Sequence, residues 1–137
     1  MSRPDRPPLD EDRAWNVTIA ELQEWAADAN ASWPSKDWDL AVARDELASE
    51  VLRLAASPEC PHGAFFLEVL YLLVGDAVYR EWQDHDKAVL TALLSEGSRV
   101  PDPSIRLWAR RSQQLLEHPD LFDYAAWCQG GLARTGE

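Results

Sequence analysis

Apolar residues recur at spacings of three and four along almost the whole chain and nowhere alternate for long. That is the period of helices with one inward face. Thr18-x-x-Glu21 has the form of a capping box, and Ile19, Leu22, Ala26 and Ala29 follow on one stripe. A first helix is predicted over about 19–31, stopped by Trp33-Pro34 because proline disfavours helix in the residue before it. Ser35 is the expected cap of a second, long helix running to about Ala56. Its stripe is Leu40, Ala43, Leu47, Val51 and Leu54, with Asp45, Ser49 and Arg53 on the wet side.

Ser57-Pro58-Glu59-Cys60-Pro61-His62-Gly63 is a loop by composition. A segment of about 64–82 follows that is apolar on nearly every side, which predicts a buried central helix. Another helix is expected over about 86–96, capped by Asp84 or Asp86, with Val89, Leu90, Leu93 and Leu94 inward and Gly97 as its stop. Asp102-Pro103 is a strong start signal for a helix with Ile105, Trp108, Ser112 and Leu115 on one face. Pro119 opens a last short helix carrying Leu121, Phe122, Ala125 and Cys128. Residues 1–13 read as a disordered or loosely docked arm, 14–131 as the folded domain and 132–137 as a frayed tail. The fold class is therefore all-α, a single-domain bundle of five to six helices around the central one.

The 137 residues suffice for one domain with its own core. The most apolar segment is interrupted by Glu68 and Asp76 and falls short of the roughly 20 residues a membrane span needs. Thirteen basic residues against 24 acidic ones give a net charge of −11. Nucleic-acid binding rests on neutralising phosphates with Lys and Arg, so this charge argues against it and favours a basic partner or simple solubility. The first residues carry charge but no apolar signal region, so a cytoplasmic location with reduced thiols is expected. Arginine greatly outnumbers the two lysines, Lys36 and Lys87, as in GC-rich bacterial genomes.

Candidate chemistry is sparse. Glu68 and Asp76 are acids inside the most apolar segment, and eight residues on a helix turn them only about 80° apart. With Tyr79 they form the candidate pocket for a small ligand or a general base. The competing reading is one narrow wet stripe, with Asp76 paired to Arg80 at i,i+4. Leu73-Val74-Gly75-Asp76-Ala77-Val78 resembles the Gly-Asp segment of the MazG-type all-α nucleotide pyrophosphohydrolases. The resemblance implies Mg²⁺ held by an ExxE pair and an ExxD pair. Here Ser49 stands three after Glu46, with Glu50 one place late, and Leu73 stands three before Asp76. Two of four ligands are missing, so no cofactor or metal is assigned. Cys60 and His62 lack any ligand spacing that would preorganise zinc.

Arg106 and Arg110 lie at i,i+4 in the one local basic cluster. They are a candidate contact for phosphate or an acidic partner, or else pair with the Asp45/Glu46 face. Seven tryptophans are the clearest oddity. Trp25, Trp38 and Trp127 fall off the inward stripes, so they are expected to stand partly in water as interface anchors, or under a neighbouring segment. The expected function is a non-enzymatic acidic helical module that binds a protein partner or a second copy of itself, of the kind that neutralises a basic toxin. The alternative is a metal-dependent nucleotide-processing enzyme or small-ligand domain at Glu68, Asp76 and Tyr79.

Overall fold

A helix that is apolar all round is stable in water only when other elements cover every side of it. In the computed structural model, which describes residues 16–31, 38–123 and 127, that helix is Gly63–Tyr79. In chain order the helices are α1 (Ile19–Ala27), α2 (Trp38–Val42), α3 (Ala48–Ala56), α4 (Gly63–Tyr79), α5 (Lys87–Gly97) and α6 (Pro103–Glu117). Short 3₁₀ turns span Asp45–Leu47 and Pro119–Leu121. Among the described residues there is no strand. The chain is an all-α, single-domain helical bundle. The central helix α4 packs against α2, α3 and α6, while α5 bridges α3 and α6. Ten of the residues of α4, from Phe65 to Ala77, are buried. The proposed arm, the tail and Cys128 lie outside the described residues.

Of the predicted caps, those at Thr18, Asp86 and Asp102 form, while Ser35 lies outside the described residues. Thr18 accepts from the Glu21 backbone at 3.1 Å while Glu21 accepts from the Thr18 backbone at 3.0 Å. Asp86 caps α5 through Ala88 N at 2.9 Å, and Asp102 caps α6 through Ser104 N at 2.8 Å. Each satisfies a backbone N–H that the helix itself leaves unpaired. Helix α1 stops earlier than expected, at Ala27. Asp28 turns to extended backbone and its carboxylate takes the Asn30 N–H at 2.9 Å.

The expected long second helix is broken. Arg44 is extended, at φ −122° and ψ 146°, and separates α2 from the 3₁₀ turn that leads into α3. Its guanidinium donates to the carbonyl of Val17 at 2.8 Å, tying the break to the residue before α1's cap. The break resets the helical phase. Leu47, Val51 and Leu54 stay inward as predicted, but ahead of the break it is Trp38, Ala41 and Val42 that are buried.

This corrects the expectation of exposed tryptophans. Trp38 is 0% exposed and Trp25 8%. The inward face of α1 is Leu22, Trp25 and Ala26, and Ile19 is left 45% exposed. An indole removes far more area from water than an isoleucine, so the helix turns the larger ring inward. The two rings meet edge-on at 4.6 Å, Trp38 stacks on Phe65 at 5.4 Å, and Trp25 also contacts Phe65 and Phe66.

Trp127 is also buried, at 5%. Its indole N–H donates to the carbonyl of Tyr71 at 2.5 Å, and its ring lies edge-on to the Tyr71 ring at 5.1 Å. A helical carbonyl keeps a second lone pair for such a donor, and Gly75, one turn on, leaves room for it. A Cβ on Gly75 would sit 2.6 Å from Cδ1 of Trp127. Gly97 plays the same part for Trp108, whose ring would be 2.8 Å from a Cβ there. Gly97 was expected as a stop beyond α5. It is the last residue of that helix, kept small by the indole.

Alanine is about 1 kcal/mol better than glycine in a helix interior, yet Gly75→Ala should lower stability, because overpacking costs about 1–3 kcal/mol. Urea unfolding tests this, and a stabilised variant would refute the Trp127 contact. Trp38→Ala should destabilise by the roughly 3–5 kcal/mol of a core truncation. A loss below 1 kcal/mol would place that ring back at the surface.

Candidate functional site

The group that ties the bundle's polar side together is His85, which the sequence pattern did not single out. Its side chain is only 4% exposed. Nδ1 lies 2.8 Å from Oδ1 of Asp45 and Nε2 lies 2.7 Å from Oδ2 of Asp76. An ionised carboxylate only accepts hydrogen bonds, so two such partners call for both ring nitrogens to donate, an arrangement that favours the imidazolium. The other oxygen of Asp45 takes the backbone N–H of Asp86 at 2.5 Å. Three segments, the 3₁₀ turn before α3, the last turns of α4 and the start of α5, are thereby cross-linked through one proton-bearing ring. The phase break at Arg44 is what carries Asp45 to this position. In an unbroken helix its side would have been the wet one.

Arg80 completes the network. It lies 3.7 Å from Asp76, the pairing expected from the sequence, and donates to Asp84 at 2.7 Å. Burial works against a charged His85, but the hydrogen bonds and charges of Asp76 and Asp45 outweigh it and raise its pKa above the ordinary value. His85 reaches these carboxylates from a tight reversal after α4. Glu81, Trp82 and Asp84 take left-handed backbone there, at φ 53°, 69° and 66°. Non-glycine residues adopt that region at a cost of about 1–3 kcal/mol each, and only where their surroundings hold them. The reversal also ends α4 at Tyr79, three residues short of the expected limit.

Glu68 belongs to a different place on α4. It shares a partly buried spot with Asp39 of α2. Burial, then the hydrogen bond and charge of Asp39, push its carboxyl up to about 7. Eight residues along a helix separate Glu68 from Asp76 by about 12 Å. Tyr79, at the end of α4, is 65% exposed. The structure does not gather Glu68, Asp76 and Tyr79 into one pocket. Glu68 meets Asp39, Asp76 meets His85 and Arg80, and the tyrosine is largely exposed.

Arg106 reaches the carbonyls of Val100 and Pro101, at 3.0 and 2.7 Å, and so closes its own loop. Arg110 stands exposed on α6. Neither meets the Asp45/Glu46 face. Asp45 is held by His85, and Glu46 pairs with Arg44 at 3.0 Å. His62 stacks on Trp25 at 4.2 Å and bonds the carbonyl of Asp28 at 2.8 Å, while Cys60 points its thiol at the carbonyl of Ala26. Both finish the packing of α1 onto α4. Among the described residues no group of three or more His, Cys, Asp or Glu side chains is arranged to hold a metal ion. Nor is any helix there long and apolar enough to cross a membrane.

No protein-family model matches the chain, and no curated protein or solved structure is significantly similar to it.

The clamp fixes a pH dependence. His85 has its pKa raised on folding, so its stabilisation is complete below the unfolded value near 6.5 and is lost as pH rises through the folded value. Glu68 acts in the same direction. Its contribution is present below its ordinary 4.5 and gone above about 7. Urea unfolding should therefore show stability falling as pH is raised, from about 4.5 to about 7 through Glu68 and on above about 6.5 through His85. Glu68→Gln should remove the lower part of that fall, and His85→Ala the upper part. A flat profile above pH about 6.5 in Glu68→Gln would mean that His85 carries no second proton.

Proposed function

We propose that this protein is a non-enzymatic, acidic helical module that binds a protein partner through the partner's basic side chains. The observation that carries the reading is the state of His85. Both of its ring nitrogens are occupied by carboxylates, so no nitrogen is left to take a proton from a substrate or to ligate a metal. Its role is to hold backbone. The acids that remain open to solvent lie beside what it holds. Glu46 is 67% and Asp84 70% exposed at the side chain, and Glu81 and Asp86 are exposed too. A net charge of −11 gives such a surface long reach toward a cationic partner.

Burial of Trp25, Trp38 and Trp127 removes them as anchors of that interface, so recognition rests on charge and on the residues around the α4–α5 reversal. Such complementarity governs association rate and partner choice more than area does. Because charged contacts at a rim are screened by salt, the reading has a direct test. Isothermal titration should show an arginine-rich peptide binding at low salt with affinity that drops several-fold at physiological ionic strength. The same peptide with citrulline in place of arginine should not bind. Equal binding of both peptides, or none of either, would overturn the reading.

A further inference from the structure

The reversal after α4 gathers features that no packing requirement explains. Trp82 is half-buried against the core, and its ring has a cation over it. Nζ of Lys87 lies 5.3 Å from the ring centroid. An indole face attracts cations through its quadrupole. Tyr79, 65% exposed, stands three residues before it, and the exposed acids Glu81, Asp84 and Asp86 surround it in sequence. Arg80, the other cation of the segment, is held between Asp76 and Asp84. The segment is fixed on both sides, by the Arg80–Asp84 pair and by the Asp45–His85–Asp76 clamp with its bond to Asp86 N. An aromatic face in a segment held on both sides, with exposed carboxylates close to it in the chain and a lysine ammonium over its ring, matches the chemistry of a guanidinium or ammonium group.

We infer that the face of Trp82, with Tyr79 and Glu81 close to it in the chain, is the seat for an arginine or lysine side chain of the partner, and that Lys87 fills this seat until the partner displaces it. This rests on the basic-partner reading above and gives it a location. Lys87 is then an internal competitor. An exposed cation–π contact changes an equilibrium constant by about two- to five-fold, so removing Lys87 should tighten the seat by that factor. The side chains of Tyr79 and Glu81 are exposed, and the clamp itself is made by Asp45, His85 and Asp76, so the melting temperature of each variant reports whether the reversal is kept.

Two probes test this separately. First, argininamide is titrated while the Trp82 indole N–H signal is followed by NMR, that signal being identified by its loss in Trp82→Phe. Half-saturation should come at two- to five-fold lower argininamide in Lys87→Ala than in the wild type, and citrullinamide should leave the signal unmoved. No shift, or the same shift from citrullinamide, would overturn the seat. Second, the arginine-rich peptide is titrated into Tyr79→Ser and Glu81→Gln, with Glu96→Gln and Glu117→Gln on α5 and α6 as charge controls. Affinity should fall several-fold in the first pair and stay within two-fold in the controls, with melting temperatures unchanged throughout. Equal losses in both pairs would overturn the seat while leaving the basic-partner reading intact. If Trp82 answers argininamide and no arginine-rich peptide binds, the seat stands and the partner reading falls.

Discussion

The bundle is organised by the need to keep water off α4. Its apolar residues face every direction, so no single neighbouring helix can cover them. The cover is assembled from α2, α3 and α6 and from tryptophans brought in from distant parts of the sequence. Trp25 and Trp38 close one end of α4 over Phe65 and Phe66, and Trp127 closes the middle over Gly75. An indole is suited to this because it supplies large area with few rotatable bonds, and its one N–H needs a single acceptor. For Trp127 that acceptor is a carbonyl of the helix it covers, so the contact is polar and apolar at once.

Covering α4 this way has a consequence at its far end. The chain must break at Arg44 for α2 to lay Trp38 against α4 while α3 lays down Leu47 and Val51. The break leaves Asp45 pointing across the gap to the residues after Tyr79. A second acid, Asp76, already faces the same gap. Two carboxylates at a partly buried place repel each other unless a cation lies between them, and the 80–86 reversal supplies His85. The left-handed backbone at Glu81, Trp82 and Asp84 is the cost of delivering that ring. Removing one partner of such a pair leaves a charge uncompensated, which makes the clamp more sensitive to its protonation state than a surface ion pair would be.

The same geometry separates the inner acids from the outer ones. Asp45 and Asp76 are bound to the imidazolium, and Glu68 is held near neutrality by burial and by Asp39. Glu46, Glu81, Asp84 and Asp86 remain at the surface around the stiffened reversal. Charge that is spread along the sequence is thereby sorted by folding into a part that holds the structure and a part that meets solvent.

The sequence by itself determined the helical class, the capping signals at Thr18, at Asp84 or Asp86 and at Asp102, and a largely buried central helix over about 64–82, which the fold ends at Tyr79. These are local properties, set by backbone hydrogen bonding and by periodicity within one element. The Asp76–Arg80 contact was legible for the same reason, since i,i+4 neighbours meet on any helix. Tertiary structure alone decided the rest. The break at Arg44 depends on a guanidinium reaching Val17, 27 residues away. It shifts the phase of the stripe that would have left Trp38 in water. Asp45 and His85 are 40 residues apart, and Trp127 and Tyr71 are 56. No spacing within a segment encodes such meetings, because they depend on where packing carries whole helices and on which large ring wins the limited space against α4.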